Sequence, residues 1–309
     1  MSEGRLAELL RRELHGPVGT VDLGRLTTWR TGGPALAAAV SSVAELSFVL
    51  RACADMEVPW FVLGLGSNIL ASDSGCRRLV IRLSGAMRSH SWSDRDGVPV
   101  LRCGAGAHLP SLSGAACTRG AAGLEFAVGI PGTVGGAVFM NAGAYGGSMS
   151  MLVSAVTVLD SDGRQRIIPV EECGFDYRRS RFQEERTVIA ETELRLEPGD
   201  PSELRSEARR VLELRRSRFP LDLPNAGSVF RKPFGEAAPG RLIEDAGLKG
   251  RREGGAMVSP LHANFIVNTG NATSADIRRL IDLVRDAVYR NSGVILEEEI
   301  RYLGWSCDE

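Results

Sequence analysis

A mixed α+β fold of two or three modules is what this sequence predicts, and three observations carry that prediction. Residues 36–68 read as strand, helix, strand and glycine turn; the middle of the chain holds several further short strands; the last third holds two amphipathic helices and a closing strand. At 309 residues the chain exceeds what one minimal domain needs and can bury more than one core.

Met1 to Pro17 carries Arg11 and Arg12 without an apolar run behind them, so residues 1–20 read as a helical extension and not as a targeting segment. Leu36 to Val40 is a short strand. Ser42-Val43-Ala44-Glu45 then has the spacing of a capping box, opening a helix whose apolar face is Val43, Leu46, Val49, Leu50 and Cys53. Trp60 to Leu63 returns as a buried strand and runs into Gly64-Leu65-Gly66-Ser67-Asn68. Segments 98–103, 155–160, 165–169 and 187–196 read as strands, with Asp160-Ser161-Asp162-Gly163 as a hairpin turn. Asp200 and Pro201 open a helix with Leu204, Ala208, Val211 and Leu212 on one face. Its arginines alternate with Glu203, Glu207 and Glu213, which makes it a solvated face and not a nucleic-acid surface. Thr273 to Asn291 forms another helix, with Gly293 just beyond it, and Val294 to Leu303 closes the chain as a strand.

Composition narrows the function. Lysine and arginine total 37 against 38 acidic residues, a net charge of -1, so nothing in the bulk electrostatics draws the chain to nucleic acid or an anionic membrane. No segment reaches membrane-spanning length without charges, and a cytoplasmic location is expected. Six cysteines (Cys53, Cys76, Cys103, Cys117, Cys173 and Cys307) form no CxxC pair and have no histidine at zinc-ligand spacing, so they read as reduced thiols with no metal site.

The glycines carry the chemistry. Between Gly129 and Gly147 there are seven glycines in nineteen residues, where the overall content of 36 predicts about two. Successive unencumbered N–H groups, with Thr133, Ser67 and Asn68 as side-chain donors, make the kind of nest that holds a pyrophosphate without a lysine, and two such loops suit a dinucleotide. Neither loop has the nucleoside-triphosphate P-loop pattern or the GxGxxG spacing of a Rossmann fingerprint, so a different nucleotide fold is required.

Thr28-Trp29-Arg30-Thr31-Gly32-Gly33, the Gly64–Asn68 loop, Gly129-Ile130-Pro131-Gly132-Thr133-Val134-Gly135-Gly136 and Asn141-Ala142-Gly143-Ala144-Tyr145-Gly146 together resemble the UDP-N-acetylenolpyruvoylglucosamine reductase family. The resemblance continues through Phe175 to Phe182, Ala226 to Phe230, Leu242 to Gly250, His262 to Asn268 and Leu296 to Arg301, so it spans roughly residues 20–305. It implies a vanillyl-alcohol-oxidase/PCMH-type FAD-binding fold over residues 21–198, in subdomains of about 21–85 and 86–198, followed by an α+β substrate domain over 199–309. Nothing between Gly143 and Phe182 leaves room for a substrate-capping insertion, which matches the shorter of the family's two subclasses.

By the same resemblance, NADPH is the co-substrate and hydride passes through non-covalent FAD to the alkene of an enolpyruvyl sugar nucleotide. The implied catalytic residues are Arg178, whose guanidinium fork suits the substrate carboxylate; Ser228, the proton donor; and Glu299. A serine is a weak acid, and Arg231 or Lys232 could support its alkoxide. Period two places Glu297, Glu299 and Arg301 opposite Leu296 and Ile300, while Glu297 and Glu298 read as a solvated edge. The implied flavin contacts are Gly64, Gly66, Ser67, Asn68, Ile130, Gly132, Thr133, Gly135, Gly136, Asn141, Gly143 and Arg301, and the implied substrate contacts are Tyr177, Arg215, Lys232 and His262. The first loop reads Gly-Leu-Gly where the family more often has a third glycine, and Lys232 stands where asparagine or arginine is frequent. An oxidase of the same flavin fold is the rival reading; His90 and His108 lie outside the loop positions that would tether a flavin.

Overall fold

The computed structural model describes residues 2–305, so the expectation for Cys307 lies outside the described residues. The chain packs as two compact units, each assembled from three stretches: residues 1–19, 36–64 and 79–214 in one, and 20–35, 65–78 and 215–309 in the other.

Two sheets hold most of the strands up to Arg195. In the four-stranded sheet the order is Val18–Asp22, Pro34–Val40, Cys76–Leu83, Trp60–Val62, with the last two parallel and Trp60 opposite Leu79. The helix Val43–Asp55 that joins its strands buries Leu46, Val49, Leu50 and Cys53, the expected face. Ser42 does cap it, accepting the Glu45 N–H at 3.2 Å, but the reciprocal half of the capping box is absent. Glu45 instead takes the N–H and hydroxyl of Ser41, and at 2.6 Å the His15 ring that follows helix Ser2–Glu13. Burial pushes the Glu45 carboxyl up, but the Ser41 and His15 N–H groups and side chains outweigh it and hold it down at about 2.

The second sheet is five-stranded and antiparallel, in the order Gln165–Pro169, Val153–Asp160, Thr187–Arg195, Val98–Gly104, His90–Arg95. The first two are joined by the expected turn, in which Gly163 has φ 74°. His90–Arg95 lacks the alternation that marks a half-buried strand, because five of its six residues are exposed. Burial pushes the Cys53 and Cys103 thiols of this core up to about 12, which leaves them protonated. On the helix Pro201–Arg218, Asp200 accepts the Ser202 and Glu203 N–H groups, and the arginine face is exposed, with Arg210 paired to Glu207.

In the second unit, antiparallel strands Arg252–Glu253, Ala256–Val258 and Ile266–Asn268 share a core with helix Ser274–Ser292, which buries Ile277, Leu280, Ile281, Val284 and Val288. Thr273 and Asp276 complete the reciprocal capping box that Ser42 and Glu45 do not. Trp29 is fully buried in this core, donates Nε1–H to the Ile266 carbonyl at 2.8 Å and accepts from Asn268 at 2.9 Å. The closing strand is shorter than expected. Regular pairing is confined to Arg301–Leu303, parallel to Ile69–Ala71, with one isolated bridge earlier at Glu298. Among the described residues no helix is long and apolar enough to cross a membrane, and no cluster of His, Cys, Asp or Glu could hold a metal ion.

Candidate active site

The glycine loops divide their work between structure and open backbone. Gly66, at φ 63°, sits where an added Cβ would fall 2.2 Å from the Leu26 carbonyl, and Thr28 donates its N–H to the Gly66 carbonyl at 3.1 Å. The Thr28–Gly33 motif therefore splints the first loop. A Cβ on Gly64 would lie 2.8 Å from the Thr133 hydroxyl, which brings the start of that loop against the second one. Thr133 is buried and caps the short helix Val134–Phe139 by accepting the Gly136 N–H at 3.3 Å. Gly135 gives its N–H to the Ala105 carbonyl, and its missing Cβ lets the helix approach the turn that follows Val98–Gly104. Ile130 is half-buried and donates its N–H to Ala127. Gly132 is different: its carbonyl accepts the Leu109 N–H at 3.0 Å, but a Cβ there would meet nothing within 4 Å. The open space at Gly132, beside the touching Gly64 and Thr133, leaves room for a ligand to approach the main chain.

Asn141, Gly143, Tyr177 and Arg178 line one cavity of about 470 Å³. Arg178 occupies a tight turn in which Asp176 and Arg179 exchange backbone bonds of 3.1 and 3.0 Å. It has φ 56°, its guanidinium donates to the Gly143 carbonyl at 2.8 Å, and its charge lies 5.3 Å over the Tyr177 ring. Asn141 and Tyr145 on the same walls also have positive φ, 40° and 51°. Three non-glycine residues in the left-handed region around one cavity is the concentration of strain that functional sites show. Asn141 spends its amide on the backbone, donating to the Asp176 carbonyl and accepting the Ser150 N–H, both at 2.9 Å. It joins the glycine loop to the arginine turn.

In the second unit, the Asn68 amide donates to the Glu299 carbonyl at 3.0 Å and the Asn68 carbonyl accepts the Arg301 N–H at 2.9 Å. Three expected site residues thus meet at one strand pairing. Ser228 follows Gly227, at φ 77°, and precedes Val229, whose carbonyl accepts the Glu299 N–H at 2.7 Å. Asn264 fixes this segment, since its amide both donates to and accepts from the backbone of Phe230, at 2.9 and 3.0 Å. Leu296 and Ile300 are buried, Glu297 is exposed and Glu299 is half-buried, as period two requires. Glu298 does not belong to a solvated edge. Its side chain is only 14% exposed, accepts from Arg285 at 3.0 Å and from the Tyr302 hydroxyl, and pairs with Arg278 at 3.6 Å. The sequence shows three glutamates in a row but not the helix whose arginines await the middle one.

Arg215 and His262 come together through an aromatic cluster. The Arg215 guanidinium lies 5.0 Å over Phe219, and the His262 ring packs 5.3 Å from Phe219 and 5.0 Å from Phe265. Burial, with a smaller effect from Lys249, lowers the His262 pKa, so the ring is neutral near pH 7 and its Nδ1 has no hydrogen-bond partner among the described residues. Lys232 stands apart on an exposed loop.

Residues 219–303 match the C-terminal domain of UDP-N-acetylenolpyruvoylglucosamine reductase, and residues 34–168 match an FAD binding domain. A reductase of that name from Heliobacterium modesticaldum is 46% identical over 283 residues, covering 91% of this chain and 89% of that protein. The chain belongs to the UDP-N-acetylenolpyruvoylglucosamine reductase family. A second member of this reductase family, from Symbiobacterium thermophilum, is 46% identical over 97% of both chains. The crystal structure of the Thermus caldophilus reductase superposes with a TM-score of 0.80 at 36% identity, covering 93% of this chain and 99% of that one. The FAD binding match spans the Gly64 loop and everything from Gly129 to Gly147, so the expected flavin-binding fold class lies where the glycines are. Ser228, Lys232, His262, Glu299 and Arg301 all fall inside the match to the reductase C-terminal domain.

Proposed function

We propose that this chain is the NADPH-dependent reductase that converts UDP-N-acetylglucosamine enolpyruvate to UDP-N-acetylmuramate, a precursor of peptidoglycan, with non-covalent FAD as its cofactor. The observation that carries the reading is near-full-length identity of 46% to reductases of that name. The residues agree with it. Gly64, Gly66, Ser67, Asn68, Ile130, Gly132, Thr133, Gly135, Gly136, Asn141, Gly143 and Arg301 would contact the flavin.

Bound FAD, recharged by NADPH, supplies the hydride that no side chain can provide. The protein must hold the substrate carboxylate, stabilise charge growing at its α-carbon and deliver one proton. Arg178 presents a fork of donors on the wall of its cavity, suited to a carboxylate. Ser228 delivers the proton to the carbon beside that carboxylate, with Arg231 or Lys232 favouring its alkoxide, and Glu299, as a carboxylic acid donating a hydrogen bond, stabilises the enolate-like charge together with Arg178. Tyr177, Arg215, Lys232 and His262 contact the sugar nucleotide, His262 as a neutral polar group. The flavin-binding portion is assigned to residues 21–198 and the substrate portion to 199–309. The enzyme works in the cytoplasm on small molecules, without nucleic acid or a membrane.

The test is an anaerobic visible spectrum of the FAD-loaded protein. NADPH should bleach the flavin bands and the enolpyruvyl sugar nucleotide should restore them. Bleaching without recovery would remove the substrate from this reading, and protein that never takes up FAD would remove all of it. Ser228→Ala should keep the bleaching and lose the recovery; normal turnover by that variant would take the proton donor away from Ser228.

A further inference from the structure

Phe139 ends the short helix that follows the second glycine loop, and its carbonyl is one of the last-turn acceptors that a helix cannot satisfy internally. Two side chains from beyond the arginine turn fill it. Ser180 donates its hydroxyl at 2.7 Å and Gln183 its amide at 2.8 Å. The same Gln183 nitrogen also donates to the Arg178 carbonyl at 3.0 Å. One half-buried carboxamide therefore ties the end of the glycine-loop helix to the backbone of Arg178 itself.

Arg178 needs such a tie. Its φ of 56° is a conformation that a long L side chain enters only at a cost of about 1–2 kcal/mol. A turn with that strain relaxes unless its surroundings over-determine it. The exchanged bonds between Asp176 and Arg179 close the turn, Asn141 holds the Asp176 carbonyl from one side, and Gln183 holds the Arg178 carbonyl from the other. Of these, only Gln183 bonds directly to the strained residue and to the helix behind the second glycine loop. We propose that Gln183 is a positioning residue: it holds Arg178 in the left-handed conformation from which the guanidinium meets the substrate carboxylate, and it fixes that guanidinium relative to the loop that holds the flavin. This rests on the reading of Arg178 given above.

Two hydrogens on one nitrogen are the chemical requirement, because two carbonyls must be served at once. Gln183→Met keeps the length and removes both donors. Gln183→Lys restores the donors on a chain one atom longer. Rapid mixing of NADPH-reduced holoenzyme with the enolpyruvyl sugar nucleotide should show flavin reoxidation slowed about 10- to 100-fold in the methionine variant, the loss expected when a catalytic group is displaced by about 1 Å. Flavin content and reduction by NADPH should remain as in the wild type, and the lysine variant should recover most of the rate. In an Arg178→Ala background, Gln183→Met should add less than about a twofold further loss, because there is no guanidinium left to position.

A wild-type reoxidation rate in Gln183→Met would overturn the proposal. So would the full loss recurring on top of Arg178→Ala, or an equal fall in the NADPH step, each of which would make the residue merely structural. If the methionine variant does not hold FAD, Gln183→Ala is measured in the same way and read by the same outcomes. Unimpaired reoxidation in Arg178→Ala alone would instead sink the role of Arg178, whatever Gln183 does.

Discussion

Glu297, Glu298 and Glu299 are consecutive, yet their alanine variants should fail in three different ways. Glu298→Ala removes the acceptor for Arg285 Nη1 and for the Tyr302 hydroxyl, and a partner of Arg278. Both arginines keep Asp282, at 3.2 and 2.9 Å, and are 32% and 37% exposed, so water recovers part of their loss. Tyr302 cannot recover so readily. Burial first, and then its bond to Glu298, raise its pKa far above the ordinary value, so it stays a phenol that needs an acceptor. A lost bond between a neutral and a charged group costs about 1.5–3 kcal/mol. A total of about 2–3 kcal/mol is therefore expected for Glu298→Ala, against less than about 0.5 kcal/mol for exposed Glu297→Ala. Equilibrium urea unfolding of the flavin-loaded protein measures both. Glu299→Ala should keep flavin reduction by NADPH and lose the sugar-nucleotide step of the reaction. Equal stability losses for Glu297→Ala and Glu298→Ala would refute the assignment of the middle glutamate as the anchor.

Two further outcomes follow from the same geometry. Gly66→Ala combines a left-handed φ with a Cβ 2.2 Å from a backbone oxygen, whereas Gly146→Ala has φ 87° and nothing within 4 Å. The first should cost about 2–5 kcal/mol and the second only the conformational part of about 1–2 kcal/mol, so equal melting temperatures for the two FAD-free variants would mean the loop gives way freely. Glu45, held at about 2 against an ordinary 4.5, contributes stability that is complete above pH 4.5 and lost as the pH falls towards 2. With about 3 kcal/mol at stake, Glu45→Gln should flatten the loss of stability between pH 4.5 and pH 2; an unchanged slope would show that other carboxylates govern acid unfolding.

What the sequence made legible was local. The helix that begins beside Thr273, the Gly293 stop, the Gly163 turn and the Asp200 cap are set by residues within a few positions of one another, and each stands within a residue of where the spacing placed it. The glycine loops were legible as loops, but not the separate duties within them. That Gly135 lets a helix approach Ala105 while a Cβ at Gly132 would meet open space depends on residues far away in the sequence. Glu45 fails as a reciprocal cap for the same reason. His15 and Ser41 offered its carboxylate more donors than the Ser42 N–H could, and no local pattern records that competition. The closing strand was overextended because alternation marks which face is buried and does not require a hydrogen-bonded neighbour. Leu296 and Ile300 are buried as that alternation says, while regular pairing begins only at Arg301.

The residues hardest to read from the sequence share one chemistry. Asn68, Asn141, Gln183, Asn264 and Asn268 each use a carboxamide to bond backbone groups in loops where no ladder can reach them. Asn268 shows the economy of the device: its amide donates to the Trp29 carbonyl while its oxygen accepts the N–H groups of Gly270 and Ala272. A carboxamide offers donor and acceptor on one rigid plane and carries no charge at any working pH. A carboxylate in the same place could not donate, and an ammonium could not accept; either would also bring a charge that burial penalises. Loops braced by amides therefore keep their geometry as the pH changes.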